Sequence, residues 1–108
     1  MNYPEIRLTA ETIASLCRPI RIYLISHKIN PATGALISFK LALIVPDNTP
    51  NISETECFLY TEVDCCYPYD LVLYRESEWE SLSQDARTFA WSIRENGTVL
   101  YEGEDSGV

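Results

Sequence analysis

The chain has 108 residues, 46% of them hydrophobic and 11% aromatic, which suffices for one folded core and is too short for two. Sixteen acidic against eight basic residues give a formal net charge of -8; with the basic residues scattered, nucleic-acid backbones and anionic membranes are disfavoured as partners. No apolar run reaches the length of a membrane span, and the N-terminal MNYPEIRLTAET lacks a basic stretch followed by an apolar core, so a cytoplasmic protein is expected.

Taken in chain order, Thr9 reads as an N-cap, followed by Ile13, Leu16 and Cys17 at helical spacing, with Pro19 ending a short amphipathic helix. IRIYLIS (20–26) alternates and is rich in β-branched and aromatic residues, so it reads as a strand. HKINPATG, with Asn30-Pro31 and Gly34, reads as a turn region, and ALISFKLALIV (35–45) as a second strand that Pro46 ends. Ser53 with Glu56 forms a capping-box pattern for a helix to about Val63. YPYDLVLY (67–74) reads as a third strand with Asp70, Val72 and Tyr74 on one face.

A second box, Ser77 with Glu80, opens a short helix, and Asp85 is the expected cap of another carrying Phe89, Ala90 and Ile93. Asn96-Gly97 suits a helix end with the glycine in the left-handed region, TVLYE makes a last strand, and GEDSGV reads as a polar tail. The expected fold is α+β: a small mixed sheet of three to four strands with helices packed on one face, one domain over residues 1–103, and a tail over 104–108.

The cysteines, at 17, 57, 65 and 66, match no zinc spacing, and the vicinal pair Cys65–Cys66 reads as space-filling thiols. The single His27 supports no Cys/His or Ser/His/Asp set. One residue stands out. Lys40 lies in the middle of an apolar strand, where a buried and unpaired ammonium is costly.

The segment YDLVLYRESEWESLSQDARTFAWSIRENGTVLYEG (69–103) resembles the C-terminal half of small nucleotidyltransferase domains of the DNA polymerase beta superfamily, in which a D-L-V-V-Y-T strand leads through two helices to E-G-x-V-L-Y-E. The N-terminal half resembles the same template in outline. There the family has a strand, Gly-Ser, a turn, and a strand opening with Asp-x-Asp. The resemblance implies that Ser26 and His27 stand at the Gly-Ser positions, Ser38 and Lys40 at the two aspartates, and Asp70 at the third carboxylate. It thus places Lys40 at an open cleft rather than in a sealed core.

Nucleotidyl transfer needs metal ions bridging the triphosphate, and Mg²⁺ needs clustered hard oxygen ligands. Ser38 supplies a neutral hydroxyl, Lys40 supplies donors only, and Asp70 alone builds no two-metal site. The reading is a degenerate, non-catalytic nucleotidyltransferase-like protein without metal or cofactor, with Ser26, His27, Ser38, Lys40 and Asp70 as a vestigial cleft.

Two readings of that cleft stand side by side. In one, Lys40 replaces the metal, pairs with Asp70 and, with His27 and Lys28, holds an anionic ligand; in the other, Lys40–Asp70 is a tolerated ion pair at a former site. The resemblance implies a protein partner, as in two-gene systems of toxin–antitoxin type, or self-association. The alternative is an enzyme or nucleotide sensor that binds Mg²⁺ and nucleotide through relocated carboxylates, with Asp47, Asp64 and Asp70 as candidates.

Overall fold

The computed structural model describes residues 3–65 and 67–103; Cys66 of the vicinal pair and the 104–108 tail lie outside the described residues. Helix α1 spans Pro4–Cys17. Proline at the first helical position loses no hydrogen bond, and Ile6, Ala10, Ile13 and Ala14 make one buried stripe. The helix therefore starts a turn and more before Thr9. That threonine is not a cap: it sits buried in mid-helix with its hydroxyl donating to the Glu5 carbonyl at 2.8 Å. Arg18 ends the helix in the left-handed region (φ 48°), its N–H bonded to the Ala14 carbonyl at 3.0 Å, and Pro19 follows.

Strands β1 (Arg21–Ile29) and β2 (Leu36–Val45) form an antiparallel hairpin. The strand continues three residues beyond the expected end, through His27, Lys28 and Ile29, before the chain turns. Asn30 Oδ1 accepts from the Ala32 N–H at 2.8 Å, and Gly34 takes φ +74°, a conformation only glycine adopts at no cost.

Helix α2 (Ile52–Glu62) crosses to β3 (Tyr69–Arg75), which pairs parallel with β2, and β4 (Thr98–Glu102) pairs antiparallel with the other edge of β1. The sheet order is β3-β2-β1-β4. The α+β class and the small mixed sheet are those expected from the sequence.

Helices cover both faces of that sheet rather than one. Phe39, Leu41, Leu43 and Val45 of β2 join Ile22, Leu24 and Leu71 beneath α1 and α2, the latter supplying Leu59. The alternate residues Ala42 and Ile44, with Tyr23, meet Trp79 of α3 (Glu76–Leu82) and Ala90 and Ile93 of α4 (Phe89–Asn96). The reason is written in β2: Leu41 through Val45 are all buried, and an apolar run without alternation needs cover on both sides.

The capping positions shift by a few residues. Asn51, not Ser53, caps α2, its side chain accepting from the Glu54 N–H at 3.0 Å. At α3, Glu78 accepts from the Arg75 N–H at 3.2 Å, and Asp47 accepts from the Ser77 N–H at 2.9 Å, bringing a carboxylate to the helix N-terminus from the end of β2. Thr88 caps α4, accepting from the Trp91 N–H at 3.1 Å. Asp85 instead closes the preceding turn and holds the Arg87 guanidinium in a forked pair at 3.0 and 2.9 Å, which lowers its carboxyl pKa. Gly97 is extended (φ -76°, ψ 163°), not left-handed.

Candidate functional site

The register of β1, β2 and β3 places the expected cleft residues. Lys40 is the partner of Ser26 on one side and of Asp70 on the other, and Ser38 is the partner of Lys28. Register partners project from the same face. Lys40 is two residues from Ala42, so this group occupies the α3/α4 face, at the end where β1 finishes and β2 and β3 begin. A bulge at Ile25 keeps β1 in phase with β2 across the apolar and polar parts of that face.

His27 is separated from this group. It pairs with Phe39, on the α1/α2 face, and its ring lies 5.2 Å from that of Tyr3 at the start of α1. In a turn, residues 26 and 27 could both face one ligand. Because β1 runs on to Ile29, the period of two sends them to opposite faces. Ser26, Ser38, Lys40 and Asp70 share one face; His27 does not join them.

Lys40 is half-buried and Asp70 exposed. Two residues along the same face, Ala42 belongs to the buried cluster beneath α3 and α4, while Lys40 keeps part of its surface accessible. Partial exposure is enough for a lysine on an apolar strand, because a long side chain can cover apolar surface with its methylenes and keep its charge in water. The expected Lys40–Asp70 ion pair is not formed. Among the described residues the ion pairs are Arg21–Glu102, Arg87–Asp85 and Arg94–Glu95.

The relocated carboxylates do not converge on Asp70. Asp47 is engaged at the N-terminus of α3, beyond the opposite end of β2. Asp64 lines a groove of about 160 Å³ against α1 with Thr9 and Cys65. Among the described residues, no group of three or more His, Cys, Asp or Glu side chains is placed to hold a metal ion.

Two features escaped the sequence reading. Tyr60, on α2, reaches over the sheet edge, and its hydroxyl accepts from the Leu71 N–H at 2.8 Å, while its ring and that of Phe39 lie 5.4 and 5.7 Å from Tyr69. A side chain thereby satisfies a main-chain donor of an edge strand that would otherwise invite another strand. No local pattern announces such a contact between helix and strand.

Cys17 is the other feature. Burial pushes its thiol from 9.0 up to about 11, so the fold favours the protonated form. When unfolded the thiol releases its proton near the ordinary value, so the unfolded state is the stronger acid. Its contribution to stability is full below pH 9 and is lost as the pH rises toward 11. Cys17→Ala is expected to flatten the fall in stability between those values, measured by urea unfolding at a series of alkaline pH. Tyr60, Tyr69 and Tyr74, whose hydroxyls burial also raises, leave a residual slope above pH 10. An unchanged slope in the variant contradicts a buried thiol at this position.

No protein-family model matches this chain, and no curated protein or solved structure is significantly similar to it.

Proposed function

We propose that this chain is a nucleotidyltransferase-like protein with a degenerate site, acting without catalysis as a binding or protein-interaction module. The observation that carries the reading is the company Asp70 keeps: its neighbours on the shared sheet face are Lys40 and Ser38 rather than carboxylates. Metal-assisted nucleotidyl transfer needs several anionic oxygens around the ions. An ammonium in their place repels a cation and offers no lone pair.

The strand arrangement supports the family reading in outline, since a hairpin whose second strand runs parallel to a third aligns positions 38, 40 and 70 at one end of the sheet. By the same resemblance, its partner is another protein or a second copy of itself, in the manner of an antitoxin, and the cytoplasm is the compartment we propose for it.

A specific observation favours a second reading, a metal-free anion binder. Lys28 and Lys40 share their sheet face with the hydroxyls of Ser26 and Ser38, so cationic donors outnumber the one carboxylate. Titration calorimetry with the four common nucleoside triphosphates, each with and without Mg²⁺, separates these readings. The proposal expects no Mg²⁺-dependent binding. Binding only with Mg²⁺ overturns it in favour of a nucleotidyltransferase with relocated ligands. Binding that is equal without Mg²⁺ and lost in Lys40→Met establishes the anion binder.

A further inference from the structure

Helix α1 presents an outer face away from the sheet. Ile6, Ala10, Ile13 and Ala14 are turned to the core, and at 3.6 residues per turn Leu8 and Ser15 lie on the opposite side. Leu8 is 62% exposed, more than any other large hydrophobic residue among the described ones, and takes no part in the core. Beside it runs the groove of about 160 Å³ that Asp64 lines; Glu5, Thr12 and Tyr67 also belong to its walls.

Charge decides what can approach this face. With sixteen acidic and eight basic residues, one copy of the chain is repelled by most of the surface of another. Helices α2 and α3 show why: each carries three glutamates and no basic residue. Helix α1 differs. With its C-cap it carries Glu5, Arg7, Glu11 and Arg18, two of each sign, and none of the four forms an ion pair among the described residues. A basic partner would gain more on α2 or α3. A partner as acidic as this chain can land on α1, where the charges balance and a leucine stands in the open.

We propose that α1 is the contact face of a symmetric dimer of this chain, the two helices packed antiparallel about a twofold axis beside Leu8. The proposal rests on the reading of the chain as an interaction module and names a second copy as the partner. In a twofold contact, residue i meets residue j of the other copy and j meets i. With the axis level with Thr9, Leu8 packs against Leu8 of the second copy beside the groove. Arg7 and Glu11 are one turn apart on the same flank of the helix, so they fall opposite Glu11 and Arg7 of the second copy, giving two ion pairs related by symmetry. A helix of 14 residues is about 21 Å long, which makes the face small and the dimer a weak, reversible one.

The test is sedimentation equilibrium of the native chain from about 10 µM to about 1 mM, in about 0.1 M salt to screen the net charge beyond roughly 10 Å. The mass is expected to rise from that of one chain, 12.3 kDa, toward twice that value and no further, because a twofold contact closes on itself. Leu8→Gln removes the apolar contact twice over and is expected to leave a single-chain mass across the range. Glutamine keeps the helix, so the urea midpoint of that variant should match the native one. Arg7→Glu and Glu11→Arg are each expected to weaken the dimer about tenfold, since each reversal is felt twice across the axis. Combining the two restores the pairs and should bring the Kd back near its native value. Phe58→Glu, at an exposed aromatic on α2, should leave the dimer intact. A chain that stays single at about 1 mM, assembly beyond two chains, a dimer that survives Leu8→Gln or dissociates in Phe58→Glu, or a double reversal no tighter than the single ones overturns the proposal. Nucleotide calorimetry judges the non-catalytic reading separately, so a single chain at about 1 mM overturns the dimer alone.

Discussion

Trp79→Ala is expected to lower the stability of the fold by about 3–5 kcal/mol, a fifth or more of what a domain ordinarily has. Trp79 is 4% exposed, and its ring lies 5.2 Å from that of Tyr23 and 5.5 Å from that of Tyr74. It is the buried residue of α3, a seven-residue helix. A helix that short has no stability of its own and is held by packing. Truncating the indole removes the floor on which α3 rests and opens a cavity beside Ile44 on the central strand. Urea unfolding should show the midpoint falling with little change in slope, and Trp79→Phe should recover much of the loss. A loss below about 1 kcal/mol would mean that α3 is held by something other than this contact.

Gly97→Ala is expected to destabilise by about 1–3 kcal/mol, opposite in sign to the usual gain when glycine is replaced at a permissive site. The backbone angles at Gly97 suit any residue, so conformational strain is not the cause. A Cβ there would sit 2.6 Å from the Ile93 carbonyl oxygen and 3.2 Å from that of Leu24. Both are main-chain atoms, one in the last turn of α4 and one in β1, so neither can swing aside. The clash therefore pushes the end of α4 away from β1 and disturbs the entry to β4. Equal or greater stability of Gly97→Ala in urea unfolding would show that this approach is looser than the structure has it.

The contrast at Gly97 marks where the sequence was legible and where it was not. A glycine after Asn96 signals a helix end, and the helix does end there. The signal carries nothing about a carbonyl of β1, more than seventy positions away in the chain, that crowds the site. The same limit moved three caps: Ser53, Ser77 and Asp85 each fit a local pattern, but Asn51, Glu78 with Asp47, and Thr88 make the bonds. Several residues in each segment could cap, and the packing of the helix decides which one does.

Periodicity served best where burial was one-sided. Asp70, Val72 and Tyr74 share a face as the alternation of the third strand requires, with Tyr74 packed beside Trp79. It served less well in β2. There Leu41–Val45 are buried without a break, and the expectation of helices on one face missed that a two-sided apolar strand must be covered twice. At the candidate site, the family resemblance implied Lys40 and Asp70 as neighbours, as the register has them, but could not foresee that β1 continues past Ser26. That continuation sends residues 26 and 27 to opposite faces, and the bulge at Ile25 decides that Ser26 joins Lys40 while His27 turns to the other side.

The central claim is that Ser38 and Lys40 stand beside Asp70 where a metal site would need carboxylates. Its most direct test is Mn²⁺ titration, by calorimetry, of the native chain and of the Ser38→Asp/Lys40→Asp double variant. The account predicts that the native chain has no Mn²⁺ site at this end of the sheet and that the variant gains one, lost again when Asp70→Asn is added. Mn²⁺ binding by the native chain that Asp70→Asn abolishes would contradict it, because a working metal centre would then exist with the lysine in place.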